Sequence, residues 1–539
     1  MRDEKGTGGG KTAPAAAPYA SAGDRAAASK RQALVACILS SSLVGMDGMM
    51  TPVALPDIAD DLNAGLAVQQ WVVAAFLLAL GGLLLVGGAL GDVFDRWRIF
   101  ATGAAGFGVS ALLVTLAPTA PLLVAGRLLQ GAAAALLVPG ALAVITTVFE
   151  GDERSRAIGS WTAWSGLSVI GGPLVGGALV DAVSWRAVYG VLVPMAAVTL
   201  FFILRATPRG VREAGTGRVD WGGAFLAVPA VGGPVFALIQ GPGSGWGDPW
   251  VLGALVAGAM AAAGLAWWER RARDPLLPVR LFRIPAFAVL NVVTLTLYGA
   301  LISSGFYTVL FLQQTAGYPP AAAGLAAAVP VLVLLVLSRR FGALADRYEP
   351  RWFIAGGALV AAAGILLMLR TDAGADFLST VLPSVLVHGV GLAMLVAPLT
   401  SGVLSAAPAG LAGAASGVNN AVARIGSLLG MVAVGIMVSV SFSAALDDQA
   451  LPPAVVRQAQ ERPLVGAPPA GVPASEREHV RRALSTASVD AFHTAVGAIG
   501  GLALLAAVVG AVGLRRPQRG FAAARCPGGS LHGAHHDLD

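Results

Sequence analysis

Long apolar stretches, each near the twenty-residue length needed to cross about 30 Å of hydrocarbon, recur along this whole chain. A lipid core cannot hydrogen-bond a backbone, so such a stretch must be a helix or part of a closed barrel. These are continuous Ala, Val, Leu and Gly runs rather than short alternating segments, which excludes the barrel. The reading gives spans near 33–54, 68–90, 98–117, 121–147, 157–180, 186–204, 219–240 and 250–268. Six more fall near 286–312, 321–338, 352–369, 377–404, 412–441 and 490–514, making fourteen. Composition agrees, with 12% charged residues where a soluble domain carries about 25%.

Orientation follows from the basic residues, all but three of which are arginine. With the N-terminus inside, the cytoplasmic connections hold Arg96 and Arg98, Arg154 and Arg156, a cluster from Arg205 to Arg218, another from Arg270 to Arg283, and Arg339 to Arg351. The short outer connections are nearly free of Lys and Arg, which is the positive-inside pattern. An even number of spans then puts both termini in the cytoplasm, in a multi-pass protein of the cytoplasmic membrane. The expected layout is a disordered tail at 1–32, a six-helix half at 33–204, two extra helices with a linker at 205–285, a second half at 286–514 and a tail at 515–539. A long outer loop, 442–489, is expected within the second half. The net charge of +6 is thereby a topology signal; it is scattered over separate loops, unlike a nucleic-acid-binding patch.

Other chemistries are absent from the pattern. Gly10-Lys11-Thr12 lacks the first glycine of a phosphate-binding loop, since Lys5 stands there, and no strand precedes it. Residues 1–32 are too long and polar for an ordinary signal peptide, so the first span is expected to remain. Cys37 and Cys526 offer neither a disulfide nor a zinc framework, and His532, His535 and His536 read as a solvated tail. No enzyme, cofactor or metal site is expected.

The chain carries an internal repeat. Gly88-Ala-Leu-Gly91-Asp92 with Arg96 follows the second span, and Gly342-Ala-Leu-Ala-Asp346-Arg347 follows the tenth. With spans 7 and 8 set aside, both motifs end the second helix of a six-helix group. Parallel six-helix repeats are a transporter plan in which substrate sits between the halves near the midplane. The small residues Gly88 and Gly91 are expected to let span 2 approach a neighbour closely. Asp92 is expected to meet a helix N-terminus or an arginine in one conformation, forming a gate.

With these motifs the chain resembles the major facilitator superfamily, and within it the fourteen-helix drug:proton antiporters, over about residues 33–514. The carrying residues are Asp47 with Val53-Ala-Leu-Pro56, Arg127 with Gln130 and Gly131, and the fifth-span antiporter pattern Gly172-Pro173-Leu-Val-Gly176-Gly177. Trp185-Arg186 through Pro194, Asp220-Trp-Gly, Trp268-Glu-Arg-Arg and Ala415-Ser-Gly-Val-Asn419-Asn420 with Arg424 and Gly430 complete the set. The pattern departs at Val93, Asp95, Trp97 and Glu349 in the two loop motifs and at Pro52. The resemblance implies an all-α membrane fold of two parallel six-helix halves plus two central helices. It also implies a monomeric, proton-driven exporter of amphipathic small molecules such as drugs or antibiotics. An exporter of an endogenous lipid, siderophore or metabolite, an uptake permease, and a receptor or scaffold are the competing readings.

Depth selects the proton site. Asp47 is the only carboxylate well inside any of the spans as read, and intramembrane acids are functional by default. At about 1.5 Å per residue, Asp47 lies roughly 21 Å from the cytoplasmic face and Arg127 roughly 9 Å from the outer face, so in a 30 Å core the two can pair. One carboxylate exchanging one proton for one monovalent cation would move no net charge. Trp71, Gln130, Trp164, Phe306, Tyr307, Met394, Asn419, Asn420 and Arg424 are the candidates for contacting substrate. A greasy cavity with few polar demands suits such ligands.

Overall fold

The computed structural model describes residues 22–206, 220–271, 279–408 and 411–514, apart from 448, 450 and 470. Among the described residues there is no strand, and fourteen helices are long and apolar enough to cross a membrane. They are α1 (Ala22–Asp61), α2 (Leu66–Val93), α3 (Arg96–Thr115), α4 (Ala120–Val148), α5 (Gly151–Ala182), α6 (Trp185–Ala206), α7 (Trp221–Ser244) and α8 (Pro249–Glu269). Then come α9 (Pro285–Gln314), α10 (Pro320–Arg347), α11 (Pro350–Arg370), α12 (Phe377–Ala406), α13 (Ala412–Asp447) and α14 (Arg477–Gly513). The end of the bundle where α1 begins is called the tail end below, and the opposite end the far end.

Packing repeats with an offset of eight helices. In the first group α2 packs on α4, α1 on α5 and α6, and α3 on α4 and α6. In the second group α10 packs on α12, α9 on α13 and α14, and α11 on α12 and α14. The same pairing in the same order makes two parallel six-helix halves. The halves meet through α5 with α10 and α2 with α13, pairs that a two-fold rotation would exchange. Helices α7 and α8 pack on one another, and α7 leans on α2 and α13 at one side.

Several helices run past the membrane-length reading. α1 continues to Asp61 rather than ending at 54, with Pro52 and Pro56 inside it, and α10 continues to Arg347 rather than 338. The expected outer loop 442–489 is corrected: α13 reaches Asp447, a short helix spans Pro453–Glu461, and α14 already begins at Arg477. Glu478, Arg481 and Arg482 break the apolar run there, yet they lie on an exposed face. Val480, Ala483, Leu484 and Ala487 are buried on the other at helical spacing. Asp95, where the family pattern has glycine, caps α3 by accepting from the backbone N–H groups of Trp97 and Arg98.

Candidate functional site

Helix α4 brings Arg127 against α1 and α2, and small residues allow its close crossing with α2. A Cβ on Gly131 would run into the Phe76 carbonyl of α2, and one on Gly87 into the Ala135 carbonyl of α4. Arg127 is thereby locked at 1% exposure beside Asp47 at 0%. Its Nη1 donates to Asp47 Oδ1 at 2.7 Å, to Asp47 Oδ2 at 2.8 Å and to Gln130 Oε1 at 2.7 Å. Its Nε donates to the Val72 carbonyl of α2 at 3.0 Å. Gln130 Nε2 returns a longer bond to Asp47 Oδ1 at 3.3 Å. The guanidinium lies over Phe76 at 4.5 Å and Tyr189 at 5.4 Å from the ring centroids, the cation–π distance range. Tyr189 bonds to Thr51, which in turn donates to the Asp47 carbonyl. One arginine thus ties α1, α2 and α4, with α6 stacked on it.

A cavity of about 340 Å³ lies between the halves, within the range of small-molecule sites. Arg127, Phe76, Phe306, Met368, His388 and Arg424 are on its wall, but Asp47 is not. The carboxylate stands behind the guanidinium that faces the cavity. His388, which sequence reasoning passed over, is 6% exposed, with Nδ1 3.4 Å from the Ala361 carbonyl. A lone histidine in an otherwise apolar span was the available signal.

The far end is sealed and the seal is uneven in kind. Gly172 and Gly176 let α5 lie on Met46, Met49 and Met50 of α1, and a Cβ on Gly177 would come within 2.5 Å of Ala321 Cα on α10. Gly324 of α10 meets the carbonyl of Pro173. Among the described residues four hydrogen bonds join the halves, and all lie toward this end: Gln70 to Tyr307, Gln313 to the Val53 carbonyl, Ala321 N–H to Asp181, and Arg462 to Asp60. No such bond joins the halves at the tail end among these residues.

Other expected positions resolve differently. Gly88 and Gly91 are not the close-approach residues: a Cβ there would meet only Pro139 at 3.8 Å and Arg96 at 3.9 Å, ordinary contacts, because Gly87 holds the face turned to α4. Gly342 likewise would meet only Ala397 at 3.8 Å. Arg96 donates to Thr147 of α4 at 2.9 Å, and Arg347 is exposed. The side chains of Asp92 and Asp346 lie outside the described residues. Of the substrate candidates only Phe306 and Arg424 are on the cavity wall. Trp71 packs against Phe236 with the rings tilted, Trp164 is 56% exposed, Met394 packs toward Gly356, and Tyr307 is buried bonding Gln70 and the Met431 carbonyl. Gln130 belongs to the Asp47 network; Asn419 bonds Asn291 and Thr294 of α9; Asn420 is exposed and bonds its own helix. Depth along a helix places a residue at a level but not on a face.

The profile of the Major Facilitator Superfamily matches residues 37–431. The chain is 35% identical to the puromycin resistance protein of Streptomyces alboniger, over 78% of this chain and 84% of that protein. It is 31% identical to the tetracenomycin C resistance and export protein of Streptomyces glaucescens, over 88% and 90%. It is 32% identical to the multidrug resistance protein Stp of Mycobacterium tuberculosis, over 79% of each. Among solved structures, a bacterial homologue of the human lysosomal transporter Spinster superposes with a TM-score of 0.62 at 17% identity, covering 91% of this chain and 99% of that one.

Proposed function

The chain belongs to the Major Facilitator Superfamily, and we propose that it exports amphipathic organic compounds, drugs or antibiotics among them, in exchange for protons across the cytoplasmic membrane. The relatives named for resistance to puromycin and for export of tetracenomycin C support a substrate of that kind. The distribution of arginine supports cytoplasmic termini, so the tail end faces the cytoplasm. The arrangement described, held together at the far end, is then the state that receives substrate from inside.

The observation that carries the coupling is the Asp47–Arg127 pair, wholly buried and touching the cavity through the arginine alone. With Asp47 ionised, its oxygens hold Arg127 and draw α1 and α4 together. Once the far end has opened and released substrate, a proton arriving from outside neutralises the carboxyl, and the charge-assisted bonds weaken to ordinary ones. Arg127 keeps Gln130 of its own helix and the Val72 carbonyl of α2 in the same half. α1 is thereby released to shift against α5 and α9, which carry part of the far-end seal. Return to the cytoplasm-facing state and loss of the proton inside restore the pair. Only a ligand or proton that favours one of two states moves the equilibrium between them, and the proton does so here by removing one bond set.

The test is efflux in inside-out vesicles with an imposed pH gradient. Asp47→Asn is expected to abolish proton-driven transport, while Arg127, still bonded to Gln130 and the Val72 carbonyl, leaves the protein folded in the membrane. Full activity in that variant would refute the assignment.

A further inference from the structure

The wall of the central cavity holds two guanidinium groups, Arg127 and Arg424, and no carboxylate. The charge of Arg127 is answered by Asp47 behind it. Arg424 differs, for it makes no ion pair and no hydrogen bond with any described residue. Its stem is fixed: a Cβ on Gly81 of α2 would stand 2.9 Å from Arg424 Cβ, so the base of the side chain is wedged between α2 and α13. The side chain borders two cavities. Arg424 also lines a second cavity of about 80 Å³ where α2, α7, α8 and α13 meet, and Leu77 is shared by both walls. Glu269 at the end of α8, 6% exposed, stands on the wall of that smaller cavity. On the wall of the larger cavity itself, with Asp47 directly behind it, the charges sum to one net positive; Glu269 lies on the wall of the smaller cavity only.

We propose that the central cavity takes amphipathic organic anions, an aromatic or aliphatic body bearing a carboxylate, sulfonate or acidic phenolate, and that Arg424 docks the anionic head. This rests on the export reading only for the direction in which such a molecule travels. A planar guanidinium offers paired N–H groups to two anionic oxygens, and in a site shielded from water that contact is strong. The apolar remainder of the wall receives the body. His388 adds an imidazole on α12 whose Nδ1 is turned to the Ala361 carbonyl, leaving Nε2 for a polar substituent. Exchange then differs from the electroneutral scheme: one monoanion outward and one proton inward move two positive charges inward. The membrane potential would drive export together with the pH gradient.

Titration calorimetry on the full chain in nanodiscs tests the assignment with a matched pair, 2-naphthalenesulfonate and the 2-naphthyltrimethylammonium cation. The sulfonate is expected to bind more tightly than the cation by about tenfold or more, the scale of a hydrogen-bonded charge contact. Arg424→Gln is expected to remove that advantage without weakening the cation. Arg424→Lys, which keeps the charge, is expected to retain most of it. A thermal melt matching the parent's shows that the variants are folded. Equal binding of the two probes by the parent, or unchanged sulfonate affinity in Arg424→Gln, would overturn the proposal. None of these readings depends on proton-driven transport, which Asp47→Asn in vesicles decides separately.

Discussion

Arg127 on α4 and Arg424 on α13 face the same cavity from the walls that the two halves contribute, and the halves treat these two charges in opposite ways. In the first half the guanidinium is paired, with Asp47, Gln130 and the Val72 carbonyl all within 3.0 Å. In the second half it has no such partner among the described residues, and the nearby acid, Glu269, comes from the inserted pair α7–α8. The repeat therefore extends to backbone pairing but not to chemistry. A paired charge can respond to a proton, since protonation changes what the pair is worth. An open charge can respond to a ligand. On the reading proposed above, one half is suited to the proton and the other to the substrate.

The sharpest way to break this comparison is to make the same substitution twice. Arg127→Met strands a buried carboxylate, and removing one partner of a buried pair costs about 3–5 kcal/mol. Its expected signature is a collapse in membrane yield and in melting temperature, partly restored by adding Asp47→Leu. Arg424→Met breaks no ion pair or hydrogen bond among the described residues, and its melting temperature is expected to stay near that of the parent. Equal losses in the two variants would mean that Arg424 has a structural partner and that the halves do not differ.

Much of this was legible in the chain. The fourteen spans follow from hydrocarbon thickness, the repeat from two copies of one motif, and the level of Asp47 and Arg127 from rise per residue. What the chain does not display is which way a helix faces. Gly87 and Gly88 are adjacent, yet only Gly87 lies on the face turned to α4. Trp71, Trp164 and Met394 have the right character and the wrong azimuth. Glu269 falls one residue beyond the apolar run 250–268, so it reads as a loop charge although α8 carries it into a buried corner. α14 begins well before its apolar stretch because three charged residues on its exposed face mask a buried stripe.

If the halves share packing while differing in charge, equivalent glycines should behave alike. Gly131 on α4 lies against the Phe76 carbonyl of α2, and a Cβ on Gly389 of α12 would be 2.9 Å from Pro330 Cα on α10. These are the same helix pairs of the two halves. Gly131→Val and Gly389→Val each overfill a tight crossing and are expected to cost about 1–3 kcal/mol. Thermal unfolding in detergent compares them directly. A large cost for one and none for the other would show that the symmetry of pairing is not a symmetry of packing.

The smallest effect is expected where the halves are tied by charge at the far end. Arg462, after the short helix Pro453–Glu461, bonds Asp60 at the end of α1 with N···O of 2.5 Å, but the side chains are 31% and 77% exposed. Exposed pairs are worth about 0–1 kcal/mol, because water screens the attraction and two side chains lose freedom. The glycine seam of α5 on α10 has no such discount, since Gly177 and Ala321 leave no room for even a methyl group between them. Asp60→Asn is therefore expected to raise the population open at the far end by less than about fivefold, as 1 kcal/mol allows. Labelling of a cysteine placed at Gly305, on the cavity wall, by an impermeant reagent from outside reads that population in a background lacking the native cysteines. Raising ionic strength is expected to reproduce the effect in the parent protein and to leave the variant unchanged, because a Debye length of about 8 Å at 0.15 M already shortens surface attraction. A far larger rise in Asp60→Asn would move the seal from packing to charge. The far end would then be governed by the same kind of contact that governs Asp47 and Arg127.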